Sequence, residues 1–172
     1  YSSKKKNFIN CQIDIVSDIL LGKQDILGFE LNPWISVDDE KDGLIDEFIA
    51  FGRKNVKYYE VRARIERRNG RNVELVLPQP KTLVMSKLGG KSSEYERIYQ
   101  SCCWLKQTPS WYLLGGHTGT IYICYKASCL KKITNLGLTS QVSCMLNIET
   151  SPNNVFIACW DGKLLTCNVS NI

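Results

Sequence analysis

Leu113 to Tyr125 reads LLGGHTGTIYICY, an apolar run that meets small residues, a short polar turn containing Gly119, and a second run of alternating apolar side chains. That order is a strand, a tight turn and a returning strand. It comes back as VFIACWDGKLLTCNV from Val155 to Val169 and as FIAFGRKNVKYYEV from Phe48 to Val61. Three copies of one supersecondary unit point to a repeat architecture, in which each unit buries its apolar faces against its neighbours. Such architectures usually hold partners rather than transform substrates.

The spacing of the copies sets the type of repeat. Ile121 and Leu164 hold matching places after the turn and stand 43 residues apart, as do Pro109 and Pro152 ahead of the first strand of each copy. A period of roughly 40 to 45 residues is that of one WD40 propeller blade of four strands. Val56 and Ile121 are 65 apart, so the first interval carries about half a blade of extra chain. The expected fold is therefore all-β, a WD40 β-propeller segment of about three to four blades within a larger propeller or a multi-propeller chain. Residues 1–25 read as the end of a preceding blade and a connection, and residues 26–172 as the blades. Phe8 to Ile15 alternates as a strand, Ile26 to Pro33 reads as a buried first strand closed by the Asn32-Pro33 turn, and Val142 to Ile148 repeats that arrangement after Leu136-Gly137. Ile121, Ile123, Ile157 and Leu164 are expected in the core. The chain opens on Tyr1 and stops a few residues past a strand, and it is expected to belong to a longer protein.

Composition agrees with a globular chain, 44% apolar and 23% charged, with no apolar run near the 18 or so residues that cross a bilayer. Of eight cysteines, Cys124, Cys144, Cys159 and Cys167 sit inside apolar strand patterns, where a free thiol behaves as a small hydrophobe. That usage points to a reducing compartment and a cytoplasmic location rather than to secretion. Asn168-Val169-Ser170 fits a glycosylation acceptor, but a three-residue pattern is common by chance.

Catalytic and metal readings find little support. His117 is the single histidine and lies in a turn. Cys102-Cys103 and Cys124 to Cys129 lack the two-residue spacing and second ligand pair of a zinc site. Gly89-Gly90-Lys91-Ser92 resembles the end of a phosphate-binding loop, yet Met85 occupies the place of the earlier glycine. The acidic run from Val37 to Asp46 lacks the glycine and glutamate placement of a calcium loop. The expectation is no catalytic residue, no cofactor and no metal; a cysteine nucleophile with a lowered pKa is the enzymatic alternative.

The extra chain after the first copy has its own pattern. Val61, Ala63 and Ile65 alternate with Arg62, Arg64 and Glu66, Asn69-Gly70 supplies a hairpin turn, and Val73 to Leu77 returns. A projecting β-hairpin over about 61–77 follows. From Arg53 to Asn72 eight basic residues stand against Glu60 and Glu66, a net of +6, so the rest of a chain carrying +5 nets −1. Arg62, Arg64, Arg67, Arg68 and Arg71 are the candidate partner-binding residues, and an acidic surface is the target such a local charge attracts. Nucleic acid would call for aromatics interleaved with the arginines, and only Tyr58 and Tyr59, which read as strand core, lie nearby.

Gly52-Arg53-Lys54-Asn55-Val56-Lys57-Tyr58-Tyr59 resembles the Gly-x-x-His-x-x-Phe-Trp blade signature of the echinoderm microtubule-associated protein-like family and of related WD40 proteins of cilia and flagella, with Asn55 in place of the histidine and the two tyrosines in place of the aromatic pair. Leu114-Gly115 with Gly119 to Ile123, and Trp160-Asp161-Gly162-Lys163, are similar to further blades. The resemblance implies a noncatalytic scaffold of microtubules, cilia or the axoneme, with tubulin or axonemal proteins as partners and no membrane or small-molecule substrate. The alternative is a general WD40 adaptor of a nuclear, RNA-processing or ubiquitin-ligase complex.

Overall fold

A computed structural model of the chain describes residues 26–35, 44–66, 72–76, 81–83 and 97–171. They form twelve strands: β1 (Ile26–Leu31), β2 (Leu44–Gly52), β3 (Val56–Glu66), β4 (Asn72–Val76), β5 (Lys81–Thr82), β6 (Tyr99–Trp104), β7 (Trp111–Gly116), β8 (Ile121–Tyr125), β9 (Ser128–Ile133), β10 (Val142–Asn147), β11 (Asn154–Cys159) and β12 (Leu164–Asn168). Three antiparallel meanders result: β1-β2-β3 with both β4 and β5 on the far edge of β3, then β6-β7-β8-β9, then β10-β11-β12. The strand expected over Phe8 to Ile15 lies outside the described residues.

The turns show why the copies are equivalent. In each sheet the residue two places before the third strand has a left-handed backbone: Lys54 at φ 69°, Gly119 at 74° and Gly162 at 85°. Glycine meets that demand without steric cost, which is the local reason for the Gly in the second and third copies. A Cβ on Gly119 would stand 2.6 Å from the Leu138 carbonyl oxygen, whereas one on Gly162 would meet nothing within 4 Å.

Strand alternation then builds the core. In the middle sheet, Cys102, Trp104, Tyr112, Leu114, Tyr122 and Cys124 point toward the first sheet and pack with Ile49, Phe51, Val56 and Tyr58. Their neighbours Cys103, Leu113, Ile121 and Ile123 point the other way and pack with Val142, Met145, Val155 and Ile157 of the third sheet. Period-two alternation with apolar residues in both phases is what a strand needs when both faces are covered. Each such side chain contributes about 1.5–3 kcal/mol on full burial. The first strands β1, β6 and β10 lie beside one another and so set the order of the stack. Tyr58 and Tyr59 are both buried, as expected of strand core.

Three expectations about burial are corrected. Leu164 is 69% exposed although Ile121, its equivalent, is 2% exposed. Cys144 is exposed, unlike Cys124 and Cys159. Strand β1 is not a buried strand, since Leu27, Phe29 and Leu31 are exposed. All three have one cause: these side chains lie on the outer faces of the two end sheets, over which the described residues place no further sheet.

Candidate interaction surface

Strand β3 runs for eleven residues and serves two structures. Its first half belongs to the blade, pairing with β2 and, through Lys57 and Tyr58, with β5. Among the described residues, pairing with β2 reaches Arg62 opposite Leu44. From Arg62 the same edge that carried β5 carries β4, in register from Arg62 opposite Val76 to Glu66 opposite Asn72. Residues 63–66 therefore pair, among the described residues, with β4. Arg64 stands opposite Glu74 in that register.

A buried polar network sits at the root of this β3–β4 arm. Glu47, 1% exposed, accepts hydrogen bonds from Asn32 Nδ2 at 2.9 Å, from the Tyr58 hydroxyl at 2.5 Å and from Ser110 Oγ at 2.8 Å and 2.9 Å. Ser110 belongs to the turn before β7, and its φ of 61° is the left-handed backbone that brings the hydroxyl to the carboxylate. Through this residue the first sheet is tied to the second. Tyr58 Oη also lies 3.1 Å from Glu60 Oε1. Glu60 in turn accepts from Arg62 Nε and Nη2, each at 3.3 Å, and faces Lys81 Nζ of β5 at 3.6 Å.

The charges follow from that geometry. Burial, reinforced by the two carboxylates, holds the Tyr58 hydroxyl well above its ordinary pKa, so it remains a proton donor. Burial alone would push Glu60 up, but Lys81, the Tyr58 hydroxyl and Arg62 together outweigh it, and the carboxyl lies below its ordinary value. Glu60 thus stays ionised and clamps Arg62 on β3 to Lys81 on β5, at the point where β3 changes partner from β5 to β4.

Of the five candidate arginines, Arg62 sits at this root with its side chain 42% exposed. Arg64 lies in the arm, and Arg67, Arg68 and Arg71 lie outside the described residues, as do the Asn69-Gly70 turn, the Gly89 to Ser92 segment and most of the acidic run before Asp46. His117 lies in the β7–β8 turn, its backbone N–H bonded to the Ile98 carbonyl. Among the described residues no group of three or more His, Cys, Asp or Glu could hold a metal ion, and no helix is long and apolar enough to cross a membrane. Burial pushes the Cys103 thiol up to about 12, and raises Cys102 and Cys124 as well. Among the described cysteines with a shifted pKa, Cys129 is the one lowered, chiefly by a hydrogen bond from Cys124, yet it is fully buried.

Sequence reading missed the Glu47 network. Its signal was available: Glu47 shares strand parity with Ile49 and Phe51, which face the next sheet, and an acid in that phase requires donors.

No protein-family profile matches the chain, and no curated protein does. Solved structures do. A chain of the Chaetomium thermophilum polycomb repressive complex 2 is similar at a TM-score of 0.57 with 10% identity, over 86% of this chain and 27% of that one. The same complex bound to GSK126 gives 0.57 with 11% identity, over 87% and 30%. The WD40 β-propeller domain of Doa1 gives 0.47 with 14% identity, over 85% and 38%. The chain spans less than a third of the length of the polycomb-complex chains. Three antiparallel meanders, stacked through their first strands and repeating at the blade period, give this chain the WD40 propeller fold.

Proposed function

We propose that the chain is a noncatalytic WD40 scaffold segment that docks on an acidic protein surface through the arm formed by β3 and β4. One observation carries the reading: β3 runs on past its pairing with β5 to pair with β4, at a root held by the buried carboxylates of Glu47 and Glu60, in a stretch whose sequence carries Arg62, Arg64, Arg67, Arg68 and Arg71. A rigid base lowers the ordering cost of docking, and the local charge speeds encounter with an anionic partner. In its finer form the surface is that of the microtubule, whose tubulin tails are acidic, in keeping with the resemblance to microtubule-associated WD40 proteins; the location is then the cytoplasm, at the cytoskeleton or axoneme. The alternative is a general WD40 adaptor with a different acidic partner.

Cosedimentation of the 172-residue chain with microtubules tests the finer form. Binding at low salt should be released at high salt, and should fall both on tubulin stripped of its acidic tails and on changing Arg62, Arg64, Arg67, Arg68 and Arg71 to Ser. Absence of binding at low salt removes microtubules and leaves the adaptor. Binding that ignores the five arginines removes the arm.

A further inference from the structure

The β8–β9 hairpin sets two thiols face to face. Cys124 stands directly opposite Cys129, one step in from the Tyr125–Ser128 pair that flanks the turn. The other described cysteines have no such partner in register: Cys102 and Cys103 stand opposite leucines, Cys144 opposite Ala158, and Cys159 and Cys167 opposite valines. A thiol that only fills space needs no second thiol across the ladder.

A bulge brings the pair together. Ile123 pairs with Lys131 and Cys124 with Cys129, so Leu130 is the extra residue. Cys129 and Ile133 have the same parity along β9, yet Cys129 joins Cys124 on the side of the first sheet while Ile133 packs on the side of the third. The bulge accounts for that reversal. Directly opposed residues of an antiparallel pair stand about 4.5–5.5 Å apart at Cα, within the roughly 4.4–6.8 Å that a disulfide spans. Cys124 donates a hydrogen bond to Cys129, and that bond lowers the Cys129 pKa against the opposing effect of burial. Cys129 is thus the sulfur prepared to attack, and Cys124 the one that completes the bond.

We propose that Cys124 and Cys129 form a peroxide-sensitive dithiol that closes to a disulfide and pins β9 to β8. Cys129 Sγ attacks one peroxide oxygen, the O–O bond breaks, and water leaves with the thiol proton, giving a sulfenic acid. Cys124 Sγ then attacks Cys129 Sγ, the S–O bond breaks, and a second water takes the Cys124 proton. The two sulfurs together lose two electrons and the peroxide gains them. Both thiols are 0% exposed, so the reaction passes through opening of the hairpin. Among the described residues β9 is the outer strand of its sheet and pairs with β8 alone, and Leu130 and Lys131 are exposed; a strand so placed opens before the strands inside the sheet. Where thiols are kept reduced, the pair rests open, closes on exposure to peroxide and is reopened by a dithiol. It does so whatever surface the arm docks on.

The test treats the reduced, folded 172-residue chain with hydrogen peroxide, alkylates the remaining thiols in denaturant and digests with trypsin without reduction. Cleavage after Lys126 separates the two cysteines, so their disulfide joins peptide 107–126 to peptide 127–131, each of which carries a single cysteine. Mass spectrometry should find that linked species as the main disulfide within one chain, and dithiothreitol should abolish it. It should be lost in Cys124→Ala and in Cys129→Ala, and in Cys124→Ala a 1,3-dione should trap sulfenic acid at Cys129. Main disulfides between other cysteines overturn the proposal, as do Cys124 and Cys129 recovered alkylated after exposed Cys144 has been oxidised. The wild-type digest stands as the test even where a variant loses its β-sheet circular dichroism.

Discussion

Glu47→Ala tests the clamp at the root of the arm. The substitution takes away the acceptor that Asn32 Nδ2 and Ser110 Oγ hold at 2.8–2.9 Å, while the Tyr58 hydroxyl keeps Glu60 at 3.1 Å. Two buried donors left without a partner cost about 1–3 kcal/mol each. Part of that is returned, because the carboxylate's own desolvation cost disappears with it. The expected loss is about 2–4 kcal/mol, a large share of the roughly 5–15 kcal/mol that a domain possesses. Urea unfolding followed by tryptophan fluorescence measures it, with Trp104 and Tyr112 packed between the first two sheets as the local reporter. Because Ser110 belongs to the turn that leads into the second sheet and bonds Glu47 directly, Glu47→Gln and Ser110→Ala should be non-additive, with a coupling of about 0.5–3 kcal/mol. A loss below about 1 kcal/mol, or strict additivity, would refute the assignment of Glu47 to the face between the sheets.

Gly119→Ala and Gly162→Ala place the same methyl group at the same left-handed backbone in two different surroundings. Both should lose about 1 kcal/mol to backbone strain, but Gly119→Ala should lose about 1–3 kcal/mol more through its clash with Leu138; equal losses in thermal unfolding would contradict the packing of that turn. Glu60 has a folded pKa below its ordinary value, so its ion pairs contribute stability above the unfolded pKa, and that contribution is lost as pH falls through the folded one. The stability difference between wild type and Glu60→Gln should accordingly shrink below about pH 4.5; a difference that grows on acidification reverses the sign. Alkylation at neutral pH, read by peptide mass spectrometry, should modify exposed Cys144 ahead of buried Cys102, Cys103 and Cys124; early labelling of the buried three would mean that the sheets open locally.

The parts of this molecule that were legible in its sequence are those decided by local chemistry. Strand, turn and strand could be read at Leu113 to Tyr125 because period-two alternation, a left-handed glycine and the returning alternation all lie within one short window. The strands β3 and β4 could be read because Asn69-Gly70 stands between two alternating runs. Glu47 was hidden by its company, since it follows the acids of the Val37 to Asp46 run and its partners Asn32 and Ser110 are 15 and 63 residues away. Alternation records that a strand has two apolar faces without recording what stands against each. Ile121 and Leu164 share a residue class, a place in the repeat and the phase of their strands, yet one is buried and the other open. The difference belongs to the position of the sheet in the stack and to nothing local. The same reasoning limits what can cover the open faces. Leu146, Phe156 and Leu164 come from three adjacent strands, as Leu27, Phe29 and Leu31 come from alternate positions of one, so each face spans the width or length of a sheet. A surface of that shape is matched by a second sheet, as the middle sheet shows on both of its sides.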